Sequence, residues 1–215
     1  MHTTITRRLL IAGAAAIALA GPAGHAAASQ SDDFPGLSRR TFTSNFFDHE
    51  LTWSRDWEFD LAISSVNTEA RRENIILRDA TVDEDDSPPT IVLGLTATDE
   101  SFSVEEFIDN LPHGSIDSPN YPPNAFVFGE GINDRGAWFV WGWEPDDDDG
   151  NAVLVQYLFP QEVGDPLISL GVMIKGQHVE KDLIERIEDE VEFDGGSVFL
   201  LEDHEEIWDA IAEVF

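Results

Sequence analysis

Apolar and polar positions alternate along much of the chain, and the longest such stretch is Gly136 to Phe159, GAWFVWGWEPDDDDGNAVLVQYLF. Side chains of a strand point to opposite faces in turn, so Trp138 and Val140 share one face while Phe139, Trp141 and Trp143 share the other. The second arm sets Val153, Val155, Tyr157 and Phe159 against Ala152, Leu154 and Leu158, again apolar on both sides. A strand of that kind belongs inside a sheet covered on both faces. Pro145 to Gly150 supplies turn geometry and a charged tip, so the stretch predicts a central β-hairpin.

The same pattern predicts the neighbouring elements. Phe47, Leu51 and Trp53 alternate with His49 between them, and Ser54-Arg55-Asp56 turns into a strand carrying Trp57, Phe59, Leu61 and Ile63. Asn74 to Arg78 and Thr90 to Thr96 read as short strands, the second presenting Ile91, Leu93 and Leu95, with Asp83 to Pro89 a loop between them. Ala125 to Phe128 leads through a Gly-rich turn into the hairpin, and Leu167 to Ile174 is expected to be the last strand. Elsewhere the period changes. Ser103-Val104-Glu105-Glu106 forms a capping box for a helix through Leu111. Val179, Leu183, Ile184, Ile187 and Val191 recur at helical spacing with acids opposite, and Asp203 and Glu206 cap a C-terminal helix carrying Ile207, Ala210, Ile211 and Val214. The expected class is α+β, in one domain over residues 41–215.

Charge alters what such a domain can bind. Forty-three Asp and Glu face twelve Lys and Arg. A surface this acidic repels phosphate backbones and anionic bilayers, which excludes a non-specific nucleic-acid role and argues against a membrane-surface role. Self-repulsion of this size is relieved by concentrated salt, so the composition points to salt adaptation, with an acidic medium as the competing explanation. The chain has no cysteine, so neither disulfides nor thiolate chemistry enter.

The N-terminus reads as an export signal. Arg7 and Arg8 precede the apolar run Leu9 to Ala20, then Gly21-Pro22 and small residues at Ala26 and Ala28, with cleavage expected after Ala28. Thr6-Arg7-Arg8-Leu9-Leu10-Ile11 resembles a twin-arginine signal; an ordinary secretory n-region holding two arginines fits as well. The run is short for a bilayer span and no later stretch approaches one, so the mature chain is expected to be secreted or extracytoplasmic without a membrane span. Residues 29–40 are expected to be a flexible leader. Ser38-Arg39-Arg40-Thr41-Phe42 repeats the arginine pair but lacks an apolar run after it.

The opening segment Phe46-Phe47…Leu51-Thr52-Trp53…Trp57, followed by strands, a helix, an aromatic hairpin and a closing strand with an amphipathic helix, resembles the PsbP-like fold. The resemblance covers Phe42 to Phe215 and implies an antiparallel sheet flanked by helices, an α/β/α sandwich. It also implies a non-enzymatic binding or assembly-supporting protein, without mapping any binding residue onto a position here.

Catalytic signatures are sparse. The chain holds no Gly-x-Ser-x-Gly elbow, phosphate loop, dinucleotide fingerprint or His-Glu-x-x-His pair. His49, His113, His178 and His204 stand far apart in sequence. Asp146 and Asp148, in the run before Gly150, are the candidate calcium ligands, but the loop departs from EF-hand grammar, with Pro145 at the first position and Gln156 at the twelfth. No other cofactor is expected. Two functions follow: a secreted, non-catalytic acidic module that binds a protein or small-molecule partner, or an extracytoplasmic hydrolase using paired carboxylates, on glycans for example. The first expects Trp138, Trp141 and Trp143 to be core filling; the second is favoured if they line a cleft beside converging acids.

Overall fold

A computed structural model of the chain describes residues 34–83, 88–98, 125–133, 136–143, 151–159, 167–176, 179–199 and 205–214. In order these form β1 (Leu37–Ser38), β2 (Thr41–Thr43), β3 (Glu50–Trp53), β4 (Trp57–Phe59), β5 (Ser65–Asn67), β6 (Arg72–Asp79), β7 (Thr90–Thr98) and β8 (Phe126–Asn133). There follow β9 (Gly136–Trp143), β10 (Asn151–Phe159), β11 (Leu167–Gly176), α1 (Lys181–Glu190), β12 (Val191–Phe193), β13 (Gly196–Ser197) and α2 (Glu205–Val214). The export signal with Arg7, Arg8, Ala26 and Ala28, the helix from Ser103, the Asp146 and Asp148 loop, His113, His178 and His204 lie outside the described residues.

The strands make two antiparallel sheets. The larger runs β4-β6-β7-β11-β10-β9-β8 with β5 beside β6; the smaller runs β1-β2-β3-β12-β13. Strands account for 55% of the described residues and helices for 16%, so the expected α/β/α sandwich is replaced, among the described residues, by sheet on sheet. Among the described residues both helices join the smaller sheet on one face of the larger, as shown by the single apolar cluster that unites Leu51, Trp53, Ile184, Ile187, Ile207 and Trp208 with Leu77, Leu93, Val155 and Val172. The physical reason lies in Val191 and Phe193: period-two alternation pulls the chain out of α1 straight into β12, Val191 being extended and paired with Trp53.

Register turns the larger sheet's inner face into rows. One reads Glu73, Leu95, Leu170, Tyr157, Trp138 and Gly131; the next reads Ile75, Leu93, Val172, Val155, Val140 and Gly129. The opposite face carries Ile76, Val92, Val127, Phe139, Trp141, Leu154 and Met173, also buried. The hairpin β9-β10 pairs as expected, and its two arms divide their side chains between the faces as the alternation requires.

Four boundaries differ from the sequence expectation. The strand from Trp57 stops at Phe59, because Asp60 forms a turn: its carboxylate accepts from Ala62 N (2.9 Å) and its carbonyl from Ser64 N (3.0 Å). The Gly-rich stretch is not a turn but the body of β8. There the Trp138 ring lies so close that a Cβ on Gly131 would sit 2.7 Å from it. Leu167–Gly176 is not the last strand, since β12 and β13 follow. Finally, Phe34 and Leu37 are buried, Phe34 packing edge-on against Phe42 and Phe59, so part of the segment expected to be a flexible leader is packed on the core.

Candidate functional site

Three polar clusters sit where the smaller sheet and α1 meet the larger sheet. The first surrounds Glu73, which an inward position on β6 buries completely. Its carboxyl group accepts from Ser44 Oγ (2.5 Å), Asn45 N (2.7 Å) and Asn45 Nδ2 (3.0 Å). Ser44 Oγ in turn accepts from the amides of Phe46 and Phe47. The β2–β3 loop is thus tied down to the sheet by one acid that uses only neutral donors, each a net contribution of about 1–3 kcal/mol.

The second surrounds Asp79, at the other end of β6 and 3% exposed. Arg186 of α1 donates to its Oδ2, and Thr81 N and Oγ1 donate to Oδ1 at 2.9 and 2.6 Å. The guanidinium lies over the Trp57 ring, 5.0 Å from its centroid. Trp57 Nε1 and Ser54 Oγ both donate to Glu190 Oε2, at 2.8 and 3.2 Å. Arg186 Nε makes no hydrogen bond, with Glu190 Oε2 at 4.0 Å. Burial pushes the Asp79 pKa up, but hydrogen bonds from Arg186 and Thr81 and the charge of Arg186 outweigh it and hold the carboxyl below its ordinary 3.8. A general acid needs the opposite shift.

The third is His49, half-buried in the β2–β3 loop. Its Nδ1 is 2.8 Å from Asp194 Oδ2, while Asp194 Oδ1 accepts from Glu50 N at 2.8 Å. The imidazole packs beside Phe159 and Phe193, with centroids 5.1 and 4.9 Å away. Register sets Phe159, Ile168 and Ala97 side by side on the same face, all half-buried, with Phe46 also part-exposed against this core. The result is an apolar rim with one imidazole, whose Nε2 carries no hydrogen bond among the described residues, at its end. Sequence reasoning passed over Asp194. The signal was there: Asp194-Gly195 between apolar positions is a two-residue hairpin turn, and both residues have positive φ, 53° and 75°.

Of the indoles, Trp141 is buried and stacks on Phe139 and on Trp143, with centroids 6.4 and 5.0 Å apart. Trp138 and Trp143 are half-buried, each packed on a core cluster. The rings fill the layers. Glu73 and Asp79 lie about 20 Å apart along β6 at about 3.3 Å per residue, far beyond the spacing of a glycosidase pair. Among the described residues no group of three or more His, Asp or Glu is placed to hold a metal ion, and no helix is long and apolar enough to cross a membrane.

Neither a protein-family model nor a curated protein sequence matches the chain. Among solved structures it is similar to the crystal structure of LpqN, involved in cell envelope biogenesis of Mycobacterium tuberculosis, at 15% identity and a TM-score of 0.38, over 76% of this chain and 87% of that one. The reading of the site therefore rests on its own residues.

Proposed function

We propose that the protein is a secreted, non-catalytic binding or assembly-supporting module that meets its partner on the rim formed by Phe46, His49, Phe159 and Ile168. The observation that carries this reading is the division of labour among polar groups: both buried acids on β6 accept hydrogen bonds that fasten one layer to the other, whereas His49, half-buried among part-exposed apolar side chains, has no hydrogen bond at Nε2 among the described residues. An imidazole held by a carboxylate and flanked by rings offers a partner an apolar face and a hydrogen bond together. The acidic coat would keep the module soluble in brine, and melting temperature should then rise with molar KCl.

A photo-crosslinking residue placed at Phe46 or His49 in producing cells tests the site against one placed at Asp182, an exposed position on α1. One discrete adduct from the rim positions, absent from position 182, is expected. Adducts from position 182 alone would overturn the rim. The hydrolase alternative is tested separately by Glu73→Gln and Asp79→Asn in cells lacking the native gene: folded variants that still restore the phenotype exclude a carboxylate mechanism through either group.

A further inference from the structure

The outer face of the larger sheet, turned away from the smaller one, carries an apolar row of Ile76, Val92, Met173, Leu154 and Trp141. The adjoining rows break that pattern. One reads Asn74, Gly94, Gly171, Gln156 and Phe139; the next reads Arg72, Thr96, Ser169 and Leu158. Of the buried polar side chains among the described residues, Glu73 and Asp79 point inward, and Thr96, Gln156 and Ser169 stand together here. Thr96 Oγ1 accepts from Arg72 Nε at 3.2 Å. Gln156 and Ser169 are 8% and 5% exposed, and among the described residues neither side chain makes a hydrogen bond. Folded chains rarely bury an amide and a hydroxyl side by side without partners.

The two glycines are an independent observation. Gly94 and Gly171 face each other between Asn74 and Gln156, within long strands whose pairing is regular. Glycine weakens a strand interior, and where no bulge accounts for it, it marks a place that something approaches closely. Both glycines are part-exposed, although their neighbours on the same face, Val92 and Thr96 on β7 and Ser169 and Met173 on β11, are buried. Within 4 Å a Cβ on Gly94 would meet Asn74 Oδ1 at 3.3 Å and the Gly171 carbonyl at 4.0 Å. Asn74 Nδ2 donates to Ser65 Oγ at 3.4 Å, which turns Oδ1 over Gly94. The result is a hollow floored by backbone. Strand spacing sets the Asn74 and Gln156 backbones roughly 14 Å apart across it, which leaves room for one small ring between their side chains.

We propose that this hollow binds a small neutral polyhydroxyl molecule, a single sugar ring or a cyclic polyol. Asn74 Oδ1 takes a donor, while the Gln156 amide and the Ser169 hydroxyl can each give and accept; a hydroxyl group answers both needs with one atom. The C–H face of such a ring suits the apolar border of Val92 and Met173. Charge is not called for: in these rows no carboxylate stands within one strand of either glycine, and the one cation, Arg72, is engaged with Thr96. The hollow lies on the face opposite the His49 rim, so it holds or fails independently of it.

The purified exported protein is titrated by calorimetry with glucose, xylose and myo-inositol, and with glucuronate and glucosamine as charged counterparts. A neutral ring is expected to bind at least about tenfold more tightly than either charged one. Gly94→Ala places a methyl group in the hollow and should weaken binding about tenfold or more, with the melting temperature unchanged or raised, because alanine restricts the unfolded strand. Gln156→Met keeps the length of the side chain and should also weaken binding about tenfold, yet raise the melting temperature, since a buried amide without a partner is removed. A residue that merely completes the fold would not separate those two readouts. The proposal is overturned if no neutral ring binds, if the charged counterparts bind as tightly, or if either variant binds as tightly as the native chain. It is overturned equally if Gly94→Ala lowers the melting temperature, which would show that the chain itself fills the hollow.

Discussion

The two ends of β6 solve one problem in different ways. Glu73 and Asp79 are six residues apart on the same strand, an even spacing that turns both inward under the second layer, and both are buried. Glu73 is met by a hydroxyl, an amide side chain and a backbone amide, all from the β2–β3 loop. Asp79 is met by Arg186 from α1, itself lying over Trp57, together with the local donors of Thr81. A loop can wrap three small donors around a carboxyl group, whereas a helix crossing the sheet offers one long side chain, and only guanidinium reaches with enough donors. The consequence is a neutral clasp at one end and a charged one at the other. Removing one partner should cost most where the group left behind is charged.

The largest expected effect follows. Arg186→Ala leaves Asp79 buried without its cation and removes the cover over Trp57, and should cost about 3–5 kcal/mol by chemical denaturation. Asp79→Asn strands Arg186 instead; because that side chain is half-exposed, about 2–3 kcal/mol is expected. If the pair is the unit, Arg186→Ala combined with Asp79→Asn should cost clearly less than the two singles added. At the neutral clasp, Glu73→Gln keeps shape and the one oxygen that can serve Asn45 but loses the acceptor that serves Ser44, for about 1–2 kcal/mol. Equal losses for Asp79→Asn and Glu73→Gln would dissolve the contrast.

Acid should test the charged end as well. The Asp79 pKa is lower folded than its ordinary 3.8, so its contribution is complete above that ordinary value and is lost as pH falls through the folded value. Stability measured from pH 5 downward should therefore drop more steeply in the native chain than in Asp79→Asn below about pH 4. A parallel pair of acid limbs would show that Arg186 does not hold the carboxylate.

How legible this was depends on the length of the pattern. The hairpin β9-β10 and the strands β7 and β11 were readable because eight to ten residues of alternation in each leave one register that buries both faces. Of the smaller sheet only β3 was readable, from Leu51 and Trp53; the other strands run two or three residues, too few to show a period. Its clue was Asp194-Gly195, a turn signal. The β1–β2 corner carried no such clue, because arginine stands where glycine or asparagine would announce it. Gly129 and Gly131 read as a turn because their purpose, room for Trp138, is tertiary. Trp208 was overlooked beside Ile207 and Ile211, though it is buried against Phe199 at 5.1 Å. The buried acids were hidden among forty-three; only an odd-numbered position on β6 distinguishes Glu73 and Asp79 from solvated neighbours.

The smallest effect probes how far the charged clasp extends. Trp57→Phe retains an aromatic face for Arg186 but deletes the indole donor, leaving Glu190 Oε2 with Ser54 Oγ at 3.2 Å and Arg186 Nε at 4.0 Å. The missing hydrogen bond contributes about 1 kcal/mol of the loss, one bond to a charged group less what water regains at a half-exposed carboxylate, beside the packing lost where the smaller ring replaces a buried indole. If Glu190 belongs to the clasp, that loss should shrink in the Arg186→Ala background, where Trp57 has no cation to cover and α1 is already loosened. If the loss is unchanged, the indole serves Glu190 alone, and the charged unit ends at Asp79 and Arg186.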